Sequence, residues 1–599
     1  MKKIFILTAS VLFIVADIYA RPAKPAPIEV IEPDGTKITI ILKGDERIKW
    51  AETSDGYSLL RNGDGFFEYA IQNENGEMVS SGIKVASKTK TLPAAKKHLL
   101  FSKSQRENIL ASDNCPKYAR AVKQTENVNH KMPVILVSFK DRACIFSKDD
   151  FDTILNVQGL NKPPYTGSIA DYFYDNSRGT FQFTSDVFGP YTLANNMSYY
   201  GGNDSYGNDK NPRAMVREAI QKAYDDGCDF SQYDADGDGY VDGVHIFFAG
   251  MGEEASGEAN AIWSHEWQLS TPITYNGKKV LIYSCSPELN DPGILTSIGA
   301  PAHEMGHAIG LPDFYDTDYE ESGGIAVTPG DYDVMDMGSY NNNGYTPPLH
   351  NAWSRMFLGW LERTPLTEPM SMKMLPAEQA TKCYIVETQT ANEYFVLDNR
   401  PRSKWDIWNN LTPRLGGGLL VFAIDSNNGN WGNNELNCNP AKRSFYIKQA
   451  NGGNNSTSRM GVGTPFPGST NKTAFTDSTS PNARSKNGVN TEKPITNIII
   501  DEENNVLFDF MGGGAPEPPT AIEKQQQAST IVVFPNPAKD KITIKSEAQI
   551  QEVVLFNLMG KRVRKSNNNE ISVRELPEGT YLLQVKTATE VIARKIIVI

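Results

Sequence analysis

The stretch Ala302–Asp316, which reads AHEMGHAIGLPDFYD, constrains the fold of this chain more than any other. His303 and His307 are four residues apart, so on a helix both imidazoles project from one face, with Glu304 beside them. Two histidines at this spacing suit zinc. A catalytic zinc site usually has three protein ligands and one open position, so the pair needs one more partner.

The residues after the second histidine predict that partner. Gly310 can adopt the left-handed conformation that ends a helix, and Pro312 cannot continue one. We therefore expect the chain to turn sharply after Ile309 and to bring Asp313 towards the histidines. The predicted zinc ligands are His303, His307 and Asp313.

Glu304 has a different predicted role, because its carboxylate lies beside the ligands and not among them. A carboxylate there can take a proton from a water molecule that zinc has made acidic and pass it to the leaving amine. This is the chemistry of peptide hydrolysis without a covalent intermediate. The alternative is a chance HExxH on a surface helix. The glycine at the third position after His307 and the methionine-bearing segment downstream disfavour it.

That downstream segment is DYDVMDMGSY, Asp331–Tyr340. The layout resembles the metzincin-like zinc proteases, and HEMGHAIGLPDFYD resembles the immune inhibitor A type family of secreted bacterial metallopeptidases, with Asp313 in place of the commoner third histidine. The resemblance covers roughly residues 133–513. It implies that Met335 forms the apolar floor beneath the zinc, with Met337 as an alternative register, and that Tyr340 helps to bind the transition state.

A second metal site is predicted in the segment DADGDGYVD, Asp234–Asp242. Its carboxylates occupy positions 1, 3, 5 and 9 of a calcium-binding loop, with glycine at position 6. Position 12 is His245 and not glutamate, and Val244–Gly250 reads as a strand, so the loop departs from an EF-hand. We expect a structural calcium, with an acidic turn that binds no ion as the alternative. The predicted ligands are Asp234, Asp236, Asp238 and Asp242.

Length and charge limit the class of protein. A chain of 599 residues is too long for one core and predicts about three or four domains. The net charge of −12 and the lack of a basic stripe argue against nucleic acid or an anionic membrane as partner. Residues 1–20 have the basic start and apolar run of a secretory signal peptide. No later stretch approaches the roughly 18 apolar residues of a membrane span.

Residues 21–130 alternate short apolar runs with Asp-Gly turns, which predicts a β-rich module. WAETSDGY, Trp50–Tyr57, is similar to N-terminal pro-segments of the same protease family, which implies a propeptide and a zymogen. A propeptide has to occupy the open zinc position, and Asp55 or Cys115 has suitable chemistry. A turn residue and half of a disulfide are the simpler roles for these two.

The predicted catalytic domain covers residues 131–365. It opens with a buried strand at Met132–Phe139 and closes with a helix at His350–Trp360 that should pack beneath the active site. His265 lies in a segment, IWSHEW, that also resembles the family, and we favour a structural role for it because the ligand set is complete without it. Residues 366–513 have short strands between turns and predict a β-sandwich accessory domain.

The last part of the chain is separated by a low-complexity linker at residues 514–528. Residues 529–599 have period-two strands typical of a small β-sandwich. FPNP at Phe534–Pro537 and LPEGTY at Leu576–Tyr581 closely resemble the C-terminal sorting domain of the type IX secretion system of Bacteroidota. The resemblance implies export by the type IX machinery, followed by release or attachment to the outer-membrane surface. A carbohydrate-binding sandwich is the alternative.

The sequence thus predicts a multidomain protein, with an α+β metzincin-like catalytic domain flanked by a β-rich propeptide and C-terminal β-sandwich domains. The predicted function is that of a secreted zinc endopeptidase acting on proteins or peptides. A surface adhesin that keeps the protease fold, and a zinc hydrolase of cell-wall peptides, are the alternatives. The six cysteines are widely spaced without a CxxC pair, so they do not form a zinc ribbon, and some are expected to form disulfides after export.

Overall fold

The computed structural model describes the greater part of the chain. The described residues are 13–15, 19–24, 26–86, 95–111, 119–121, 129–204, 207–318, 326–407, 416–429, 431, 434–452, 460–514, 532–546, 549–557, 562–577, 579–587 and 591–598. Most of the predicted signal peptide, most of the linker and Cys115 lie outside them. The chain divides into two compact units, Met1–Pro516 and Glu517–Ile599. No helix in the described ranges has the length and apolar character needed to cross a bilayer.

The N-terminal part of the first unit is a six-stranded antiparallel meander in the order β3-β4-β5-β6-β7-β8. Gly56 and Gly65 lie in its Asp-Gly turns with φ of +94° and +89°, which glycine adopts without steric cost. Side chains of β4 alternate between buried and exposed, as a half-buried strand requires. The elements of this part are β1 Phe13–Val15, β2 Tyr19–Ala20, β3 Ile28–Ile31, β4 Lys37–Gly44, β5 Lys49–Glu52, β6 Ser58–Arg61, β7 Phe67–Gln72, β8 Met78–Lys84, α1 Lys103–Ala111 and β9 Ala119–Ala121.

The central sheet has the order β11-β10-β12-β14-β13-β2, and β15 pairs with β14. Strands β11, β10, β12 and β14 are parallel to their neighbours, whereas β13 is antiparallel to β14. The far edge of β13 is covered by β2, whose two residues pair antiparallel with His265 and Glu266. The strands are β10 Asn129–Ser138, β11 Gln182–Thr192, β12 Val244–Met251, β13 His265–Tyr275, β14 Lys278–Asp291 and β15 Ile294–Leu295.

Helices cover both faces of this sheet, and β10 shows why. Val134 and Leu136 point into one apolar core with α2, α3 and α7, while Ile135 and Val137 point into a second core with α5. A strand buried on both faces reads as a continuous apolar run, which is what the sequence has here. The helices are α2 Lys148–Asn156, α3 Ile169–Ser177, α4 Met197–Tyr200, α5 Pro212–Asp225, α6 Glu253–Ser256, α7 Gly299–Ala308 and α8 Ala352–Phe357.

The remainder of the first unit contains a five-stranded sheet, β16-β18-β19-β20-β21, and a three-stranded sheet, β17-β23-β22. One face of the larger sheet packs on the smaller one. Its other face, with Ile385, Val396 and Phe422, enters the same core as α7. The strands are β16 Glu362–Pro365, β17 Met370–Met374, β18 Lys382–Glu387, β19 Glu393–Arg400, β20 Gly418–Asp425, β21 Phe445–Ile447, β22 Ile495–Ile500 and β23 Val506–Phe510.

The second unit is all β. A three-stranded sheet, β24-β25-β28, and a four-stranded sheet, β27-β26-β29-β30, enclose one small apolar core. The strands are β24 Val532–Phe534, β25 Lys541–Lys545, β26 Ile550–Asn557, β27 Arg562–Ser566, β28 Glu570–Ser572, β29 Gly579–Thr587 and β30 Val591–Val598.

The fold confirms the coarse prediction, a multidomain and β-rich protein with some helices. The predicted domain boundaries, and the arrangement of a propeptide and sandwich domains around a catalytic domain, stay predictions. The prediction of disulfides is wrong for the five cysteines that the structure describes. Cys144, Cys228, Cys285, Cys383 and Cys438 are all free thiols, each in its own packed environment.

Candidate metal centre

Helix α7 holds His303 and His307 in the protein interior, where they are 0% and 4% exposed. The Nδ1 atom of His303 lies 2.7 Å from the backbone carbonyl of Val334, and that of His307 lies 2.7 Å from the carbonyl of Leu311. A carbonyl can only accept a hydrogen bond, so both Nδ1 atoms donate. In the neutral rings this leaves an electron pair on each Nε2.

Asp313 completes a group of three ligand atoms. Gly310 ends the helix with φ +99°, and the turn brings the Asp313 Oδ1 atom 3.3 Å from the Nε2 atoms of both His303 and His307. The two Nε2 atoms are 3.1 Å apart. Ligands about 2.0–2.1 Å from a tetrahedral zinc are roughly 3.3 Å from one another. Three electron-pair donors at this separation fit zinc.

The charge of Asp313 agrees with this ligand set. Burial would raise the pKa of its carboxyl group, but His307 and His303 oppose burial and hold the pKa below its usual range. For His307 burial is also the largest effect, and it lowers the pKa of the imidazole, which keeps the ring neutral. A neutral imidazole at His307 and a charged carboxylate at Asp313 are protonation states that bind a metal ion.

Asn434 contacts the candidate ligand Asp313, and the sequence did not reveal this contact. Its side-chain Nδ2 donates to Asp313 Oδ2 at 2.6 Å, and its Oδ1 accepts the backbone N–H of Asp313 at 2.7 Å. The paired bonds fix the Asp313 carboxylate with Oδ1 turned towards the histidines. Hydrogen bonds of this kind orient metal ligands. The two residues are 121 positions apart, and no local pattern around Asn434 signals the contact.

Glu304 is fully buried next to the ligands. Neither of its carboxylate oxygens has a hydrogen-bond partner among the described residues. Burial raises the pKa of Glu304 well above its usual value, and the nearby Asp313 and Glu46 carboxylates raise it further. A buried carboxyl group with free oxygens and a raised pKa can accept a proton and release it again.

Met335 lies directly beneath α7. A Cβ atom at Gly306 would be only 2.5 Å from Met335 Sδ, so glycine is needed where the methionine passes under the helix. The carbonyl of Met335 also accepts the N–H of Phe314, which ties this turn to the turn that carries Asp313. Met335 is fully buried and Met337 only half-buried, which favours Met335 for the predicted floor of the site; that role stays a prediction.

Tyr340 faces the N-terminal segment of the chain. Its hydroxyl donates to the carbonyl of Pro22 at 2.7 Å, and the guanidinium carbon of Arg21 lies 3.6 Å from the centre of its ring. Burial raises the pKa of the Tyr340 phenol, so the hydroxyl stays protonated and can donate. Its partner here is a peptide carbonyl, the kind of group that a protein substrate also presents.

The turn between β4 and β5 also faces the metal centre. Asp45 and Glu46 are buried, and burial raises the pKa of both carboxyl groups. The charge of Asp313 raises both pKa values further, so these groups lie within its electrostatic range. Asp55, one of the two latency candidates, is instead in an exposed turn, where it accepts from Thr53 and lies 3.7 Å from Lys97. The other candidate, Cys115, lies outside the described residues.

His265 belongs to a separate hydrogen-bonded group. Its Nδ1 lies 2.7 Å from the carbonyl of Trp263, its Nε2 lies 3.1 Å from the Tyr283 hydroxyl, and the thiol of Cys285 is 3.4 Å from Nδ1. Burial lowers the pKa of His265 to about 4. Both nitrogens are thus occupied within the sheet, which fits a structural role.

The predicted calcium ligands come together only in part. Carboxylate oxygens of Asp234, Asp236 and Asp242 lie within 4.8 Å of one another. Asp238 is outside this group and accepts the N–H of Tyr240 at 2.7 Å. Lys278 places its ammonium group 2.6 Å from Asp234 Oδ2. The loop can therefore gather three carboxylates, one of which is already paired with a lysine.

Two family models match this chain. Residues 145–360 match the catalytic domain of immune inhibitor A peptidase M6. This range includes the two histidines and the one aspartate of the candidate metal centre. Residues 532–599, most of the second unit, match a secretion system C-terminal sorting domain. The second match indicates that the protein is secreted.

Relatives of known identity match part of this chain. A pre-pro-metalloprotease, PrtV, of Vibrio cholerae is 33% identical over 224 residues, which is 32% of this chain and 23% of that protein. Immune inhibitor A of Bacillus thuringiensis is 33% identical over 222 residues, 32% of this chain and 31% of that protein. The chain thus spans less than a third of each relative. At the level of its domains, this protein carries a peptidase M6 catalytic domain of the immune inhibitor A family together with a secretion-system sorting domain.

Proposed function

We propose that this protein is a secreted zinc endopeptidase that hydrolyses peptide bonds in proteins. One observation carries the proposal. His303, His307 and Asp313 direct three ligand atoms, 3.1–3.3 Å apart, towards one point, and the unpartnered carboxylate of Glu304 is buried beside them. A binding module has no need of the fourth group, whereas hydrolysis needs a proton acceptor at that place.

Each residue of the proposed active site has its own role in peptide hydrolysis. Zinc bound by His303, His307 and Asp313 would polarise the attacking water and the scissile carbonyl. Glu304 takes the proton of the attacking water and delivers it to the leaving amine. Its raised pKa favours the second transfer, because the carboxyl group keeps the proton until the amine accepts it. The protonated hydroxyl of Tyr340 donates to the carbonyl oxygen as negative charge develops there.

The protein is made as a zymogen in this proposal, with residues 21–130 as the propeptide. One contact and one electrostatic effect support it. Tyr340, the proposed transition-state donor, is engaged by Pro22, and the charge of Asp313 raises the pKa of the buried carboxyl groups of Asp45 and Glu46. Residues of the N-terminal part thus occupy the surroundings of the metal centre. Activity then requires their removal or displacement.

A structural calcium ion in the loop Asp234–Asp242 belongs to the same proposal. The convergence of Asp234, Asp236 and Asp242 supports it, since carboxylates are the ligands that calcium prefers. An ion there has to displace the Lys278 ammonium group from Asp234. The loop leads directly into β12, so the ion would stiffen the entry to the central sheet.

We also propose that the sorting domain is recognised by the type IX secretion machinery, with release from the cell or attachment to the outer-membrane surface as the final step. The match to a metallopeptidase catalytic domain makes the adhesin alternative the less favoured one. A hydrolase of cell-wall peptides would have the same metal centre, and it is distinguished by its products, which are peptidoglycan stem peptides and not protein fragments.

The test is hydrolysis of denatured casein by the matured secreted protein, with and without a zinc chelator. Glu304→Gln should keep its zinc, measured as bound metal per chain, but lose activity by at least about a hundredfold. Glu362→Gln, an exposed glutamate in β16, is the matched control and should keep full activity. Folded, zinc-loaded wild-type protein that cuts nothing after maturation would contradict the proposal and favour the adhesin.

A further inference from the structure

Residues 21–24 lie against Trp263, Tyr340 and Glu254 and are held there mostly through their backbone. The two residues before them, Tyr19 and Ala20, pair with the edge of β13. The indole N–H of Trp263 donates to the carbonyl of Arg21 at 2.9 Å, and Tyr340 donates to the carbonyl of Pro22. The N–H of Lys24 donates to the carbonyl of Glu254 at 3.0 Å. Backbone contacts of this kind are available to any extended peptide.

The side chain of Arg21 is the exception, because it enters a built pocket. It is 5% exposed. Its guanidinium donates to the carbonyl of Ser339 at 3.0 Å and to the Ser339 hydroxyl at 3.3 Å, and its central carbon lies over the ring of Tyr340, 3.6 Å from the ring centre. Ser339 is itself fixed, since the carbonyl that receives Arg21 passes over Gly299 at the start of α7, where a Cβ atom would be 2.1 Å away.

The charge around the pocket suits a cation. Glu254 is fully buried nearby, and although burial raises its pKa, Ser264 and Arg21 both act to lower it. The pocket thus offers an aromatic face, two oxygen acceptors and a buried carboxylate within electrostatic range. A planar guanidinium uses all three, by stacking and by donating in its plane. A lysine ammonium group is not planar. It can neither stack on the Tyr340 ring as a guanidinium does nor donate to both Ser339 oxygens from rigidly spaced N–H groups.

We propose that Ser339, Tyr340 and Glu254 form an arginine-binding pocket of the substrate cleft, which the chain's own Arg21 fills before maturation. Resting on the proposed protease function, this assigns a substrate class: protein segments that carry arginine at one fixed position next to the cleaved bond. Removal of the propeptide, which includes residues 21–24, empties the pocket for a substrate whose backbone takes the same contacts to Trp263 and Tyr340.

Binding in the pocket is tested without reference to activity, on the full-length chain. Hydrogen exchange at the amide of Lys24, which is bonded to Glu254, reports whether the segment is seated. In Arg21→Met this amide should exchange at least about tenfold faster than in wild type, and in Arg21→Lys by an intermediate factor. Lys37→Met, which alters an exposed pair with Glu29, is the control and should change nothing. Equal exchange in wild type and Arg21→Met would overturn the pocket.

Substrate preference is tested with the matured secreted protein. The cleavage sites in denatured casein, mapped by mass spectrometry, should have arginine enriched at a single position. A peptide with that arginine replaced by citrulline, which keeps the shape but loses the charge, should show kcat/KM lower by at least about tenfold. Chelator-sensitive cleavage with no arginine enrichment would overturn the pocket but leave the protease. No cleavage at all would overturn the proposed function, and Lys24 exchange would then decide the pocket alone.

Discussion

At the scale of single residues, the metal centre depends on how Asp313 is turned. Its carboxylate has two oxygens, and only Oδ1 faces the histidines because Asn434 holds Oδ2. Asn434 has φ +58°, a left-handed conformation that asparagine tolerates better than most residues. One residue therefore meets a backbone requirement and a ligand-orienting requirement together.

Replacing Asn434 separates these two requirements. Asn434→Gly loses both hydrogen bonds to Asp313 without backbone strain, and zinc affinity should fall about 10- to 100-fold. Asn434→Ala should lose the same affinity and, in addition, about 1 kcal/mol of stability, because alanine is strained at positive φ. Zinc affinity is measured by competition with a chelator and stability by urea unfolding.

The exposed Asn427→Ala is the control for both measurements. If Asn434→Gly binds zinc as tightly as wild type, Asn434 does not orient the ligand.

His265 should make the protein sensitive to acid. Its pKa is about 4 in the folded protein because of burial, against a usual value of 6.5. The unfolded chain therefore binds the extra proton first. The neutral ring contributes stability above pH 6.5, and about 3 kcal/mol of it is lost as the pH falls towards 4. The urea midpoint at about pH 4.5, relative to about pH 7, should fall less in His265→Gln than in wild type.

His98→Gln serves as the comparison, since the His98 side chain is 62% exposed. A pH dependence in His265→Gln equal to that of wild type would show that His265 is not the source.

The part of the site that could be predicted from sequence is the part that is local. His303, Glu304, His307 and Asp313 lie within one helix and its terminal turn, so helical spacing and a turn signal suffice to bring them together. Asn434 could not be found in this way, since it is distant in sequence and asparagine has many uses. The proximity of Asp45 and Glu46 to Asp313 could not be predicted for the same reason. The turn sequence around Asp55 pointed to that aspartate instead.

At the scale of elements, strands were predicted better than helices. The buried runs at Met132–Phe139 and Val244–Gly250 are strands β10 and β12. The helix predicted at His350–Trp360 is shorter, Ala352–Phe357. The Asn351 side chain accepts the N–H of Ser354 and caps its start, and Gly359 at φ +75° lies just beyond its end. The apolar stripe continues past both limits, and periodicity alone therefore overestimates helix length.

The β4–β5 hairpin is joined to the rest of the first unit by a buried lysine. The ammonium group of Lys49 donates to Glu253 and to Asn203, and it lies 3.6 Å from Asp209. Lys49→Met would leave two buried carboxylates without their cation. We expect the free energy that holds the N-terminal sheet against the rest of the unit to fall by about 3–5 kcal/mol. Hydrogen exchange of the β4 and β5 amides in urea measures this free energy.

Lys43→Met is a matched control from the same hairpin. Lys43 is more exposed, with 38% of its side chain accessible. Among the described residues it forms one ion pair, with Glu52 at 3.4 Å. Its loss should cost less than about 1 kcal/mol. Equal effects of the two substitutions would mean that burial of Lys49 adds nothing to docking. Adding Glu253→Gln to Lys49→Met should recover part of the loss.

At the scale of the whole molecule, the boundary at residues 516 and 517 has a direct consequence. The second unit has its own apolar core. A chain ending at Pro516 should therefore keep its zinc content and, within about 0.5 kcal/mol, the free energy of unfolding of the first unit, but it should no longer be found outside the cell. Cell fractionation and urea unfolding measure the two effects.

The complementary fusion is the control, because an unrelated soluble protein that carries residues 1–20 at its start and residues 517–599 at its end should leave the same bacterium. Secretion of the truncated chain at the wild-type level would contradict the assignment of the tail. The predicted linker at residues 514–528 stays a prediction; its low-complexity composition is the signal that suggested a boundary there, and the division into two units falls at residues 516 and 517. The sequence could not predict that the sheet β16-β18-β19-β20-β21 shares an apolar core with α7. A local pattern shows that a side chain is buried but not which distant element it packs against.

The contact between Asp313 and Asn434 also sets an order of events in time. A ribosome makes the chain from its N-terminus, so the β3–β8 sheet is complete while the helix with His303 and His307 is still unmade. The partner that orients Asp313 emerges later still, with residue 434. In the proposed zymogen, the covering segment is therefore made before the centre it covers, and a nascent chain has no interval in which a finished, uncovered metal site faces the cell that is making it.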